Sequence, residues 1–265
     1  MLLKDKVIVI TGIGPGLGTK LALEAARQGA AGLILASRSS DKLDAAEAAI
    51  AALAGVQTQV LKVPCDITKP EDCARLTERS VATFGRIDAL VNSAYIAGDL
   101  SKAADKGNLD DWRAVMETNV FGTMNVTQSV SAQMKKQKSG AILMISSMVT
   151  RKPFYGQAGY AASKGAMNTI VKFLATDLGR HGIRVNAASM GWMWGASVEG
   201  YFKYREKTEG ISIDEQKAAV FKNIPIGRIP TDDECAKAAL FLISDMAAVV
   251  TGVCLDVNGG EFIAP

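Results

Sequence analysis

The chain has 265 residues, 48% apolar and 22% charged, with a net charge of +3. That length suits one large domain able to close a core without metal or disulfide. So slight a charge, with no block of five like charges, excludes a nucleic-acid footprint and a polybasic membrane patch. Cys65, Cys73, Cys235 and Cys254 show no CxxC spacing and read as inert thiols of a reducing compartment. The N-terminal "MLLKDKVIVITG" has charges breaking its apolar run, unlike a signal peptide, and no apolar run reaches membrane-span length. A cytoplasmic protein is expected.

In chain order, "KVIVITG" (6–12) reads as a buried strand and 16–29 as a helix ending at Gly29. "GLILAS" (32–37) is a second strand, followed by the helical "DKLDAAEAAIAALA". "QTQVLKVPCD" (57–66) and "IDALVNSA" (87–94) are strands on either side of a helix near 70–84. A long helix from 109 to 136 precedes the strand "GAILMISS" (140–147), and another covers 159–180. "IRVNAA" and "GVCLDVNGG" supply the last of about seven strands. Near-continuous Val/Ile/Leu runs mark strands covered on both faces, and their alternation with helices predicts an α/β doubly wound parallel sheet of Rossmann type. A single domain over 1–265 is expected, broken in rhythm only by a strandless flap over 190–230.

"TGIGPGLG" (11–18) sits where the first strand hands over to the first helix. Gly12, Gly14, Gly16, Leu17 and Gly18 there suit a tight turn whose backbone N–H groups approach a phosphate at a helix N-terminus. The second strand ends in Ser37, Arg38 and Ser39, with no acid before Asp41. Dinucleotide enzymes place an acid there for a ribose 2′-hydroxyl and a cation for a 2′-phosphate, so NADP(H) is favoured over NAD(H).

"GYAASKGA" (159–166) sets Tyr160 one helical turn before Lys164. Residues four apart share a helix face, so the ammonium is expected to lower the phenol pKa toward neutrality. Together TGxxxGxG, Asn92 after the fourth strand, Ser147, and YxxxK resemble the short-chain dehydrogenase/reductase family, and the likeness continues through "RVNAASMG", "IPIGRIPTDDECAKAALFLIS" and "TGVCLDVNGG". The resemblance implies that Tyr160 exchanges the hydroxyl proton, Ser147 holds the substrate oxygen, and Lys164 grips the nicotinamide ribose. Asn119, in "ETNVFGT", would hold a water of a proton relay. Asp66 and Ile67 would meet the adenine, and Asn92, Ala94, Gly191 and Met193 complete the expected cofactor contacts. Neither metal nor covalent nucleophile is required by such chemistry. Three departures stand out: "NSAY" puts Tyr95 where the family has glycine, Met190 replaces a proline, and Gly195 replaces a threonine that contacts the nicotinamide carboxamide, for which Ser197 is a candidate substitute.

Substrates of such folds bind beyond the carboxyl ends of the strands. Tyr95, Met148, Phe154, Tyr155, Trp192, Trp194, Tyr201 and Phe202 are expected there, and so much aromatic surface suits a bulky, hydrophobic or ring-containing alcohol or ketone. Packing of the flap or of a subunit interface would use the same residues. His181, the only histidine, lies at a helix end and there is no GxSxG, which removes a hydrolase. The expected protein is an NADP(H)-dependent oxidoreductase interconverting a secondary alcohol and a ketone, in a homodimer or homotetramer. Reduction of a 3-oxoacyl thioester on acyl carrier protein or CoA is the alternative enzyme, and a cofactor-binding regulator without turnover the alternative of another class.

Overall fold

Residues 1–263 are described by a computed structural model. Seven strands form one parallel sheet: β1 (Val7–Thr11), β2 (Gly32–Ser37), β3 (Gln59–Pro64), β4 (Ala89–Asn92), β5 (Gly140–Ser147), β6 (Ile183–Met190) and β7 (Cys254–Val257). Their order is β3-β2-β1-β4-β5-β6-β7. The strand order therefore reverses between β1 and β4, which opens a crevice at their C-terminal ends.

Alternate residues of each central strand feed opposite cores. Ile8, Ile10, Leu33 and Leu35 pack against α1 (Leu17–Arg27), α2 (Ser40–Ala51) and α9 (Asp232–Phe241). Val7, Val9, Ile34 and Ala36 pack against α3 (Pro70–Phe84), α5 (Thr123–Gln137) and α6 (Ala158–Gly179). Two cores on two faces account for the unbroken apolar runs of β1, β2 and β4.

The helix expected over 109–136 is interrupted. α4 (Leu109–Met116) gives way to a π-type turn, Glu117–Gly122, before α5 begins. Gly122 there passes so close to Ile67 that a Cβ would come within 2.9 Å of Cγ1. The 190–230 flap is helical rather than a long loop: α7 (Ala196–Glu209) and α8 (Ile213–Phe221) fold onto their own small core of Phe202, Ile224 and Ile229. A lone bridge from Trp194 to Thr231 closes its base.

At the crevice the chain turns sharply. Gly12 has φ of 76°, and a Cβ there would lie 2.4 Å from the Ala94 backbone nitrogen. Gly12→Ala combines left-handed strain with overlap against an immovable backbone, so it should lower unfolding free energy by more than about 2 kcal/mol in urea titration.

Candidate active site

A cleft of about 520 Å³ lies over the C-terminal ends of β1, β4, β5 and β6. One end is floored by the glycine turn. Gly18 is pressed against Gly12, where a Cβ would meet the Gly12 oxygen at 2.2 Å, whereas Cβ atoms on Gly14 and Gly16 would meet nothing nearer than 3.9 Å. Gly12 and Gly18 thus make the turn, while Gly14, Gly16 and Leu17 open onto the cleft. No side chain caps the N-terminus of α1, leaving its first N–H groups directed at an anion site. This cradle fits a dinucleotide diphosphate.

The other end holds Ser147, Tyr160 and Lys164 together in the cleft wall. Ser147 is the last residue of β5, and its Oγ accepts from the Val149 N–H at 3.4 Å. Lys164 is buried, and its Nζ donates to the Ile145 carbonyl of β5 at 2.8 Å. The same nitrogen stands 5.6 Å from the Tyr160 ring centroid and 5.4 Å from that of Tyr95. Tyr95 and Tyr160 face each other at 5.8 Å, tilted by 49°.

These positions correct the expected electrostatics. Burial, followed by the neighbouring Tyr95, holds the Tyr160 phenol above the ordinary tyrosine value, and only the Ser147 hydroxyl beside it pulls it down. Lys164 lies over the ring faces and bonds a carbonyl, and burial lowers its own pKa to about 8. The protein's own groups therefore keep Tyr160 as a protonated acid.

Asn119 is buried in the π-type turn. Its Nδ2 donates to the Ile96 carbonyl at 2.9 Å and to Ser163 Oγ at 3.0 Å, while its Oδ1 accepts from the Ile96 N–H at 2.9 Å. Both donors are engaged, and the side chain is absent from the cleft wall. It ties the segment carrying Tyr95 to α6.

A family model described as enoyl-(acyl carrier protein) reductase matches residues 12–261. A 3-oxoacyl-[acyl-carrier-protein] reductase of Thermotoga maritima is 35% identical over 263 residues, 99% of this chain and 100% of that protein. The chain belongs to the short-chain dehydrogenase/reductase family. Levodione reductase superposes with a TM-score of 0.89 at 28% identity, covering 98% of each chain. NAD+-bound xylitol dehydrogenase gives 0.88 at 29% identity, covering 98% of this chain and 100% of that one. An actinorhodin polyketide ketoreductase variant with NADPH gives 0.87 at 28% identity, covering 97% of each. As a family member the chain is an NAD(P)(H)-dependent oxidoreductase acting on a carbonyl/alcohol pair, and no helix among the described residues is long and apolar enough to cross a membrane.

Other expected cofactor residues lie outside the wall of this cleft. Asn92 is buried and donates to Thr127 Oγ1 at 3.1 Å, pinning β4 to α5. Asp66 Oδ1 accepts from the Thr68 N–H at 3.1 Å and from its hydroxyl at 2.8 Å, which makes a helix-leading turn. Ile67 is buried against Gly122, and the Ala94 N–H lies 3.4 Å from Thr11 Oγ1. Ser37 ends β2 and its Oγ accepts from the Ser39 N–H at 3.4 Å; Arg38 is exposed and makes no salt bridge among the described residues. None of these residues lines the cleft.

On the substrate side the cleft wall includes Tyr95, Met148, Phe154 and Trp192, with Gly191 and Met193 beside them. Phe202 is a correction: it is 1% exposed and packs edge-on to Trp192 and Trp194, so it builds the flap's core and meets no substrate. Trp194, Tyr155 and Tyr201 also lie outside the cleft wall, Tyr155 being 76% exposed. The packing alternative holds for Trp194, whose ring is covered by Lys217 Nζ at 4.0 Å. Sequence reading missed Lys42 and Asp232, both in the cleft wall. Lys42 was legible as a cation in the first turn after "ASRSS"; Asp232 hid in an acid-rich helix start.

Lys164 sets up a stability test. Its pKa falls from 10.5 to about 8 on folding, so below pH 8 both states are charged and the folded state carries the full burial cost. Stability rises with pH between 8 and 10.5, where the unfolded chain binds the extra proton. Lys164→Met should therefore stabilise the fold at pH 7 by about 1–3 kcal/mol while ending turnover. The gain, followed by urea unfolding, should disappear above pH 10.5.

Proposed function

We propose that the protein is an NADP(H)-dependent reductase of a bulky, hydrophobic or ring-containing ketone. The observation that carries this reading is the aromatic wall of Tyr95, Phe154 and Trp192 standing beside the Ser147–Tyr160–Lys164 set in one cleft. Phe154 meets Trp192 edge-on at 6.4 Å, giving a rigid apolar face suited to a ring. A nicotinamide cofactor, when bound, would supply the hydride chemistry. Ser147 orients the substrate oxygen. Tyr160, kept protonated by burial, gives that oxygen its proton, the form that reduction needs. Lys164 would hold a ribose hydroxyl of the cofactor, and Asn119 positions the Tyr95 segment against α6.

Arg38 favours NADP(H), because a cation and no acid stands between the end of β2 and Asp41, and Lys42 adds a second cation in the cleft wall. The flap over 190–230 is assigned to substrate enclosure, and a cytoplasmic homodimer or homotetramer is the assembly that fits the family.

Reduction of a 3-oxoacyl thioester is the second reading, favoured by the 35% identity to the Thermotoga reductase. NADPH oxidation by the purified protein against bulky cyclic and aryl ketones, small ketones and an acetoacetyl thioester separates the two. Turnover of bulky ketones is expected; turnover of the thioester alone would select the second reading. NADPH binding without hydride transfer to any of them would point instead to a regulator.

Tyr160→Phe should remove at least about 99% of turnover, the scale of a lost general acid. Its NADPH affinity, measured by calorimetry, should stay within about twofold, since only a hydroxyl is removed. Arg38→Asp should move the NADPH/NADH ratio of kcat/KM toward NADH by about tenfold or more. An unchanged ratio would assign the 2′-phosphate to Lys42.

A further inference from the structure

The segment that follows β7 meets each element on the substrate side of the cleft. A Cβ on Gly191, the neighbour of Trp192, would lie 2.7 Å from the Asn258 Cβ. The Gly191 N–H donates to the Val257 carbonyl at 3.1 Å. On the flap, the Ile226 N–H donates to the Gly259 carbonyl at 3.3 Å, and a Cβ on Gly259 would stand 2.7 Å from Ile224 Cγ2. Asn258 keeps the segment folded: it is 3% exposed, donates to the Phe262 carbonyl at 3.0 Å and accepts from the Gly260 N–H at 2.8 Å.

The turn after β5 is joined to the same segment by charge. Arg151 forms a two-pronged ion pair with Asp256 of β7, one arm at 3.1 Å, and its guanidinium lies 5.0 Å from the Phe262 ring centroid. Lys152 Nζ donates to Glu261 Oε1 at 2.8 Å and stands 5.8 Å from the ring centroid of Phe154. Phe154 is the ring that meets Trp192 edge-on in the cleft wall.

Glu261 is the costly member. Its side chain is 2% exposed, and Oε2 has no hydrogen-bond partner among the described residues. A buried carboxylate with one oxygen unmet lowers stability, and a neutral side chain of that shape would lower it less. Nor is it needed to attach the turn, which Arg151 and Asp256 already fasten to β7. What Glu261 alone supplies is a fixed place for the Lys152 ammonium, against the Phe154 ring. We propose that Glu261 is a positioning residue for substrate choice: through Lys152 it holds Phe154 edge-on to Trp192, so that a bulky or ring-bearing ketone meets a wall already ordered. Glu261 lies outside the cleft wall, so it acts through Phe154 rather than by contact. The wall is then ordered by folding rather than at the expense of substrate affinity.

This inference rests on the bulky-ketone reading, and one kinetic comparison separates the two. KM and kcat would be measured with an aryl ketone and a small ketone, beside NADPH affinity by calorimetry. Glu261→Ala should raise the aryl-ketone KM roughly tenfold, the scale of leaving two aromatic side chains to be ordered on binding. Its kcat/KM for the small ketone and its NADPH affinity should stay within about twofold, because neither ligand needs that wall. In a Phe154→Ala background the same substitution should change the aryl-ketone KM by less than about twofold, since the side chain it acts through is gone. The doubly neutral Lys152→Met/Glu261→Gln variant strands no charge and should repeat the rise, so the comparison survives if Glu261→Ala fails to fold. A merely structural Glu261 would impair both ketones alike, or add its effect in full to that of Phe154→Ala. Either result overturns the inference and leaves the bulky-ketone reading intact. A wild type with no preference for the aryl ketone overturns both.

Discussion

The close passage of Gly12 against the Ala94 backbone governs the geometry of the site. A Cβ at residue 12 would need to sit 2.4 Å from the Ala94 nitrogen, so β1 and β4 can separate at the switch point only around a bare Cα. Two things are set by that contact. Gly18, pressed onto the Gly12 carbonyl, seats the N-terminus of α1 over the strand ends. The segment after β4 is steered across the cleft, which carries Tyr95 to Tyr160 and Lys164. Phosphate cradle and proton-transfer group are thus placed by one backbone crossing.

The electrostatics of the catalytic end follow from burial more than from charge pairing. An ammonium beside a phenol lowers the phenol's pKa only when it faces the oxygen at short range. Lys164 instead meets ring faces and a main-chain carbonyl, and is itself pushed toward neutrality. Tyr95 adds to the upward push on the Tyr160 phenol through its own charge and covers the ammonium. The fold therefore tolerates a buried cation for the sake of its position.

The sheet was legible because each central strand serves two cores. Val7 through Ile10 leaves no polar position to confuse a reading, and the same holds for Leu33 through Ala36 of β2 and Ala89 through Val91 of β4. The glycine turn and the Ser147–Tyr160–Lys164 set were legible as well, since spacing along known elements fixes which ends converge. Less could be read where function depends on direction. Nothing in "ETNVFGT" says that Asn119 turns inward within a π-type turn, and nothing in "GWMWGASVEGYF" says that Phe202 faces the flap's interior while Trp192 faces the cleft. Asp232 was hidden for a similar reason: "TDDE" reads as an ordinary helix start with a capping box, which it also is.

The flap's core of Phe202, Ile224 and Ile229 is separate from the two cores that flank the sheet. The packing of the sheet and the packing of the flap are thereby written in different parts of the chain. Residues of α7 and α8 can be exchanged by mutation without drawing on the packing that keeps the strands together. Under the proposed assignment of the flap to substrate enclosure, selection can retune what the cleft admits while the Ser147–Tyr160–Lys164 set stays unaltered. In such an architecture one scaffold descends into many specificities through drift in a single, loosely coupled segment.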